Sequence, residues 1–350
     1  MKRIVFFAFV LFFAVSVCSC NKENDQGPVD IHGKYLVLNN GSWNKSNASV
    51  SLYDPETGKT ESDVFFRVNG NRLGDTAQDI FFHDGSYYIA MTGSCCIWKT
   101  DGGLKVTERM EYEVNGVTLG PRCLAALDGE VYASFQEGYV KSLVSGDDAS
   151  AVGELAMPEG LAVSGNTIYV AESDGYGEEC AKSRLGIITK VGSSLDYSHF
   201  DGLNRNLQVL ALFGDRLFAL SWNVYDRDSK VVFPAKIQSY NLKTGKVVDY
   251  AIENPVAMAA DGEGMLYVLC CDNNYKGYVC QIDMETETAY APLVRDISRP
   301  YSISADTAGF YVGTSDYVNT GDVLVYSRDG KLLHKFDSAG INPHKVLRIA

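Results

Sequence analysis

Apolar residues in this chain come in short runs, each closed by a tight polar turn and answered by a second run with an aromatic residue near its start. Ile80-Phe81-Phe82-His83-Asp84-Gly85-Ser86-Tyr87-Tyr88-Ile89 and Leu124-Ala125-Ala126-Leu127-Asp128-Gly129-Glu130-Val131-Tyr132-Ala133 show the pattern at full length. Runs this short, bounded by Asp-Gly, predict paired strands rather than helices, because Asp-Gly supplies the positive φ angles of a short hairpin turn. Later copies turn at Ser164-Gly165-Asn166, Gly214-Asp215, Asp261-Gly262-Glu263-Gly264 and Asp306-Thr307-Ala308-Gly309.

The aromatic anchors of the second runs are Tyr35, Tyr88, Tyr132, Tyr169, Phe218, Tyr267 and Tyr311, and the five gaps after Tyr88 are 44, 37, 49, 49 and 44 residues. A repeat of roughly 40–50 residues built only of strands and turns marks a propeller blade. A second signature runs in phase with the first. Tyr53-Asp54-Pro55-Glu56-Thr57-Gly58-Lys59 returns as Tyr240-Asn241-Leu242-Lys243-Thr244-Gly245-Lys246, with weaker copies starting at Trp98, Ile282 and Tyr326. The expected fold is therefore all-β, a seven-bladed β-propeller of four-stranded antiparallel blades. Lys345-Val346-Leu347-Arg348-Ile349 reads as an inner strand with nothing after it, and Tyr35-Leu36-Val37-Leu38 as an anchor strand with nothing before it. Pairing the two closes the ring and hides both open edges. No Pro/Gly/Ser-rich linker interrupts the pattern, so residues 33–350 form one domain.

This architecture separates two faces. The first-to-second and third-to-fourth turns of every blade are short. The second-to-third connections are long and varied: Asn39–Asn47, Met91–Cys95, Ser134–Gly138, Ala171–Ser183, Ser221–Phe233, Cys271–Gly277 and Gly313–Thr320. They carry Trp43, Phe135, Tyr176, Trp222, Tyr225, Tyr275 and Tyr317, and the links between blades that reach the same face contain Pro121-Arg122, Pro158, Pro255, Pro300 and Pro343-His344. Trp, Tyr and Arg are the usual anchors of binding sites, and loops on a rigid scaffold are where function tends to sit. The candidate ligand contacts are Trp43, Arg122, Phe135, Tyr176, Trp222, Tyr225, Asn273, Tyr275, Tyr317 and His344. Packing of these rings against neighbouring loops is the competing explanation for each one.

Residues 1–19 have the layout of a leader, with Lys2-Arg3 before the apolar run Ile4 to Val17, a run too short for a comfortable membrane span. Val17-Cys18-Ser19-Cys20 resembles the lipobox of bacterial lipoproteins, which implies that Cys20 is lipidated and becomes the mature N-terminus. Residues 20–32 then form the anchor and a polar tether. Lys22-Glu23-Asn24-Asp25 resembles the surface-export signals of Bacteroidetes lipoproteins, which implies the outer face of the outer membrane. Loss of Lys2 and Arg3 moves the formal net charge from −13 to −15. Such acidity argues against nucleic acid and against electrostatic attachment to anionic lipid.

Nine cysteines less Cys18 and Cys20 leave an odd number, so Cys270 and Cys280 can pair across a hairpin but at least one thiol stays free. No C-x-x-C pairs suggest zinc, no G-x-S-x-G elbow is present, and His32, His83, His199, His334 and His344 are not spaced as metal ligands. Asp272-Asn273-Asn274 lacks the pattern of a known calcium loop. No cofactor, metal or catalytic residue is expected, although a carboxylate pair of the kind used by propeller lactonases can hide among 44 acidic residues.

Leu38-Asn39-Asn40-Gly41-Ser42-Trp43, then Ala48-Ser49-Val50-Ser51-Leu52-Tyr53-Asp54-Pro55-Glu56-Thr57-Gly58, and Leu73-Gly74-Asp75-Thr76-Ala77-Gln78-Asp79-Ile80 after it, resemble the opening of a YncE-like propeller family of Bacteroidetes lipoproteins. In layout the chain is similar to BtuG-type surface lipoproteins. That resemblance implies a non-enzymatic protein that captures a corrinoid (cobalamin) and passes it to a TonB-dependent outer-membrane transporter. It carries over no individual binding residue. Asn39, Asn44, Asn273 and Asn274 are candidate partners for the amides that edge such a ligand. The alternatives are a glycan-, peptide- or protein-binding module using the same face, and a lactonase-like hydrolase.

Overall fold

A computed structural model describes residues 29–143 and 151–349. The leader, Cys20 and most of the tether lie outside the described residues. Seven four-stranded antiparallel blades follow one another in chain order. Blade 1 runs from Ala77–His83 to Val106–Met110, blade 2 from Pro121–Leu127 to Ala151–Val152, and blade 3 from Pro158–Ser164 to Ser194–Phe200. Blade 4 runs from Leu207–Phe213 to Val247–Tyr250, blade 5 from Pro255–Ala260 to Thr288–Ala289 with a fifth strand at Val294–Ser298, and blade 6 from Pro300–Asp306 to Leu332–Ile341. Blade 7 is assembled from both ends of the chain, in the order Lys59–Glu61, Ser49–Asp54, Tyr35–Asn39, Pro343–Arg348. The expected closure is therefore present: Tyr35 pairs with Arg348, Leu36 with Leu347 and Val37 with Val346.

The strands read as continuous apolar runs because both faces of each blade are covered. Each interface between neighbouring blades holds its own hydrophobic core. Leu36, Val50, Ile80 and Ile89 fill the seam between blades 7 and 1, and Tyr88, Leu124, Val131 and Phe135 the seam between blades 1 and 2. Tyr35, Val37, Tyr311 and Val346 pack where blade 6 meets blade 7. Of the seven aromatic anchors only Tyr169 keeps appreciable exposure. Each fully buried ring contributes about 1.5–3 kcal/mol of transfer free energy, and the Tyr53–Phe336 pair is stacked at 3.8 Å between centroids.

The turn chemistry is as the residue types dictate. Asp84-Gly85 and Asp128-Gly129 adopt positive φ at both residues, 45° and 72° in one and 52° and 80° in the other, the geometry of a type I′ hairpin turn. In the second signature, Asp54 Oδ1 accepts from the Glu56 and Thr57 amides at 2.8 and 3.2 Å, and Asn241 Oδ1 from Lys243 and Thr244 at 3.1 and 2.9 Å.

Three elements were not anticipated. A one-and-a-half-turn helix, Val64–Asn69, is capped by Asp63 and seats Val64 and Phe65 in the seam between blades 7 and 1. Two short hairpins, Glu113–Val114 with Val117–Thr118 and Val224–Tyr225 with Val231–Phe233, stand in long connections. Cys270 and Cys280 are free thiols, as are the other five described cysteines. Cys270 faces Tyr278 and Cys280 faces Val268, two register positions apart on adjoining strands.

Ring closure is also ionic. Lys345 Nζ on the last strand donates to Asp79 Oδ1 of blade 1 at 2.6 Å, while Asp79 Oδ2 accepts from the Leu124 amide of blade 2 at 2.9 Å. One buried carboxylate thus ties three blades at the seam where the chain ends meet. Deleting Lys345–Ala350 removes this tie together with all but the first two residues of the inner strand of blade 7. The melting temperature of the truncated protein is expected to fall by about 10 °C or more; an unchanged thermal melt contradicts this account of closure.

Candidate functional site

In each blade the inner strand contains one extra residue just inside its first position. In blade 1, Ala77 pairs with Met91 and Asp79 with Ala90, so Gln78 is the added residue. The register skips in the same way across Arg122-Cys123, Glu159-Gly160, Gln208, Val256, Tyr301 and His344. Five of these strands open on proline, namely Pro121, Pro158, Pro255, Pro300 and Pro343, which suits a strand's first residue because no ladder N–H is needed there. A bulge increases the local twist and re-aims a side chain. At five of the seven bulges the added side chains Gln78, Arg122, Glu159, Tyr301 and His344 meet one another on the face of the long loops, whereas Val256 packs against the seam between blades 5 and 6 and Gln208 bonds back to Asn206.

Hydrogen bonds between blades fix the bulges. Thr92 Oγ1 donates to the Pro121 carbonyl, Ser134 Oγ to that of Glu159 and Ser302 Oγ to that of Pro343, each at 2.6 Å. Trp222 Nε1 donates to the Val256 carbonyl at 3.0 Å. The side chains then meet across the seams. Arg122 Nε donates to Glu159 Oε2 at 2.7 Å and its Nη1 to Gln78 Oε1 at 3.2 Å. Gln78 Nε2 lies 3.4 Å from His344 Nε2, and the His344 and Tyr301 rings meet edge to face at 6.1 Å. Tyr301 in turn meets Tyr317 at 5.7 Å. A continuous polar arc, Tyr301–His344–Gln78–Arg122–Glu159, therefore spans blades 6, 7, 1, 2 and 3.

The arc carries no net charge. Arg122 offsets Glu159, and Lys345 offsets Asp79 beside it. Burial raises the Glu159 carboxyl's pKa against the opposing pull of Arg122. Burial also lowers His344 to about 4, with Asp79 opposing and Arg122 and Lys345 reinforcing, so its imidazole is neutral at physiological pH. Burial and Tyr317 push the Tyr301 hydroxyl up to about 12, keeping it a donor. For Lys345 the attraction of Asp79 outweighs burial and raises the ammonium. Its side chain stays 34% exposed, so water screens part of that gain.

Around the arc stand the loop aromatics. Tyr176 is 88% exposed, Tyr275 67%, Tyr317 62%, Trp43 60%, Tyr225 54% and Trp222 45%. Tyr275 and Tyr317 hold left-handed backbones, φ 57° and 65°, a conformation that strains a bulky residue by about 1–3 kcal/mol. Neighbouring side chains enforce it. Asp272 Oδ1 accepts from the Asn274 and Lys276 amides, both at 2.8 Å, and Ser315 Oγ from the Tyr317 amide at 2.8 Å. The two loops are coupled through Arg299, whose amide donates to the Tyr275 carbonyl and whose carbonyl accepts from Ser315. Such fixed, outward rings are preorganised for contact.

Of the residues predicted from sequence, Arg122 and His344 come together in the arc, and Tyr317 joins it through Tyr301. Trp43, Tyr176, Trp222, Tyr225, Asn273 and Tyr275 surround it as exposed loop residues. Trp222 spends its indole N–H on the tether to blade 5. Phe135 is a correction: its side chain is fully buried and packs against Tyr112 at 5.5 Å in the seam between blades 1 and 2, because the short connection after it turns the ring inward. Gln78, Glu159, Gln208 and Tyr301 escaped the sequence reading. Their shared signal is position, the residue immediately after the Pro, Ala or Leu that starts each inner strand. A cleft of about 410 Å³ adjoins the Tyr275 and Tyr317 loops, lined by Arg299, Ser315, Asp316, Asp322 and Lys335 among others. Its charges pair internally, Lys335 with Asp322 at 2.9 Å and Arg299 with Asp316 at 3.5 Å. Among the described residues no group of His, Cys, Asp and Glu is arranged to hold a metal ion.

No protein-family model matches the chain, and no curated protein matches it. Solved structures do. The computationally designed protein Ika8 is similar at 13% identity, with a TM-score of 0.56 over 90% of each chain. The dihydro-heme d1 dehydrogenase NirN, solved in complex with DHE, is similar at 9% identity, with a TM-score of 0.57 over 93% of this chain and 76% of its own. U3-55K is similar at 10% identity and a TM-score of 0.55, over 77% of this chain and 84% of its own. At these identities the likeness is one of fold. The class defined by fold and site together is a seven-bladed propeller, a fold suited to a ligand- or protein-binding module.

The lowered pKa of His344 has a consequence for stability. The unfolded chain, with an ordinary imidazole near 6.5, binds the proton more readily than the folded one. Stability contributed at this site is therefore lost as pH falls from about 6.5 to about 4, and levels off below. Measured by denaturant melts, the stability of the native protein relative to His344→Gln should fall across that window. A difference independent of pH contradicts the partly buried, neutral imidazole.

Proposed function

We propose that this protein is a non-catalytic capture lipoprotein, held at the cell surface by a lipid on Cys20, whose long-loop face binds a corrinoid and hands it to a TonB-dependent outer-membrane transporter. The observation that carries the binding half is the axial arc of uncharged or charge-paired donors and acceptors, surrounded by exposed aromatic rings on loop tips locked by Asx-type hydrogen bonds. A broad ligand with an amide-rich edge suits such a face better than it suits a deep apolar cavity. The anchor rests on the resemblance of Val17-Cys18-Ser19-Cys20 to a lipobox, and the corrinoid and transporter on the resemblance of residues 38–58 and 73–80 to surface propeller lipoproteins. NirN, named for a haem-type substrate, shares the fold with this chain at an identity too low to carry a ligand across.

Cobalamin is coloured, which makes the test direct. Purified protein mixed with micromolar cyanocobalamin is expected to carry red absorbance through gel filtration at about one ligand per chain. Changing Tyr275 and Tyr317 together to Ala should weaken binding at least about tenfold without shifting the melting temperature. Absence of co-elution at micromolar ligand removes the corrinoid reading and leaves a glycan-, peptide- or protein-binding face, for which Trp43→Ala and Trp222→Ala would be the informative variants.

A further inference from the structure

The open hydrogen-bonding positions of the axial arc have a definite chemistry. Glu159 keeps only 7% of its side chain exposed, and Arg122 Nε engages its Oε2. Its other oxygen, Oε1, has no protein partner among the described residues. Arg122 uses Nε on Glu159 and Nη1 on Gln78, which leaves Nη2 free to donate. The Tyr301 hydroxyl likewise makes no protein hydrogen bond among the described residues, while its ring meets Tyr317 and His344 edge to face. Neither Glu159 Oε1 nor the Tyr301 hydroxyl is among the fully buried unpaired atoms of the described residues, so solvent reaches both and a ligand can replace it.

An occupant must therefore offer a donor to Glu159 Oε1 and an acceptor to Arg122 Nη2 or the Tyr301 hydroxyl. It must do so without bringing charge, because the pairs Arg122–Glu159 and Lys345–Asp79 already sum to zero. A carboxylate would meet Glu159 with like charge. An ammonium would meet Arg122 and Lys345, and would have no use for the donors. A primary carboxamide satisfies both sides, its N–H₂ toward the carboxylate and its carbonyl oxygen toward the guanidinium or phenol. We propose that the arc Tyr301–His344–Gln78–Arg122–Glu159 is a subsite that recognises an uncharged primary carboxamide on the ligand. This rests on the ligand sitting on the long-loop face, and it holds whether or not that ligand is a corrinoid.

The chain has five histidines, so ¹³C-histidine labelling yields few signals, and the one lost in His344→Gln identifies the reporter inside the arc. Acetamide at high millimolar concentration is expected to shift the His344 ring resonance, while acetate and methylammonium at the same concentration leave it in place. The double variant Arg122→Met/Glu159→Leu removes both charges together, so it avoids stranding a buried ion. It should keep the native melting temperature within a few degrees and lose the acetamide response. If that variant unfolds, Gln78→Leu serves in its place with the same expectation. In parallel, cyanocobalamin should bind at least about tenfold more tightly than a derivative with the recognised side-chain amide hydrolysed to a carboxylate, the loss expected for one charge-assisted contact.

A His344 shift with acetamide in a protein that ignores cobalamin supports the carboxamide subsite and overturns the corrinoid reading. Cobalamin binding that is indifferent to every amide-to-acid change, with no acetamide shift, overturns the subsite alone. Equal responses to acetamide and acetate also overturn it.

Discussion

The pairing of Tyr35–Asn39 with Pro343–Arg348 is the constraint on which the rest depends. A propeller whose last blade lacked its inner strand would expose an open edge beside the axis and leave the seams of blades 6, 7 and 1 half filled. Here the C-terminal strand supplies Val346 to the seam with blade 6, Lys345 to the ion pair with Asp79, and His344 to the axial arc. Asp79 passes the closure on to blade 2 through the Leu124 amide. The strand that closes the ring is thus also the strand that completes the candidate site.

A single backbone device links scaffold and site. The seven bulges are found on strands that share little beyond an opening proline in five of them, so they reflect the geometry that all blades share at the axis more than one local sequence. Four of the bulges offer a carbonyl that a neighbouring blade binds, and at five the side chains meet across the seams. The outer ring works differently. There, Tyr275 and Tyr317 are held in strained backbone conformations by carboxylate and hydroxyl acceptors on their own loops. Rigid backbone at the centre and locked loop tips around it give one preorganised surface, and preorganisation lowers the entropic cost of binding.

The fold could be read from the residues because its determinants are local. Asp-Gly turns, the Asp/Asn-x-x-Thr-Gly signature and the spacing of the aromatic anchors all report on backbone within a few residues, and the two unpartnered terminal strands follow from counting. The face was legible for the same reason, since long connections differ from tight ones in length. Individual contacts were harder. Arg122 and His344 stood out by residue type, whereas Gln78 and Tyr301 act only through a bulge register that depends on the strand beside them. Phe135 was misplaced because an aromatic at the edge of a three-residue connection can turn either way, and the seam behind it was the better packed choice. The helix Val64–Asn69 was missed because its six residues carry less than two turns of periodicity.

A site at the axis requires that a ligand touch this surface there, and hydrogen–deuterium exchange of the protein with and without bound cyanocobalamin reads that directly. Protection is predicted in peptides covering the bulges at 77–79, 121–124, 158–161, 300–302 and 343–345 and in the loops bearing Tyr275 and Tyr317. The Asp84-Gly85 and Asp128-Gly129 turns on the opposite face should exchange as before. Protection centred on those turns or on the outer strands, with the bulges unaffected, would contradict a site at the axis.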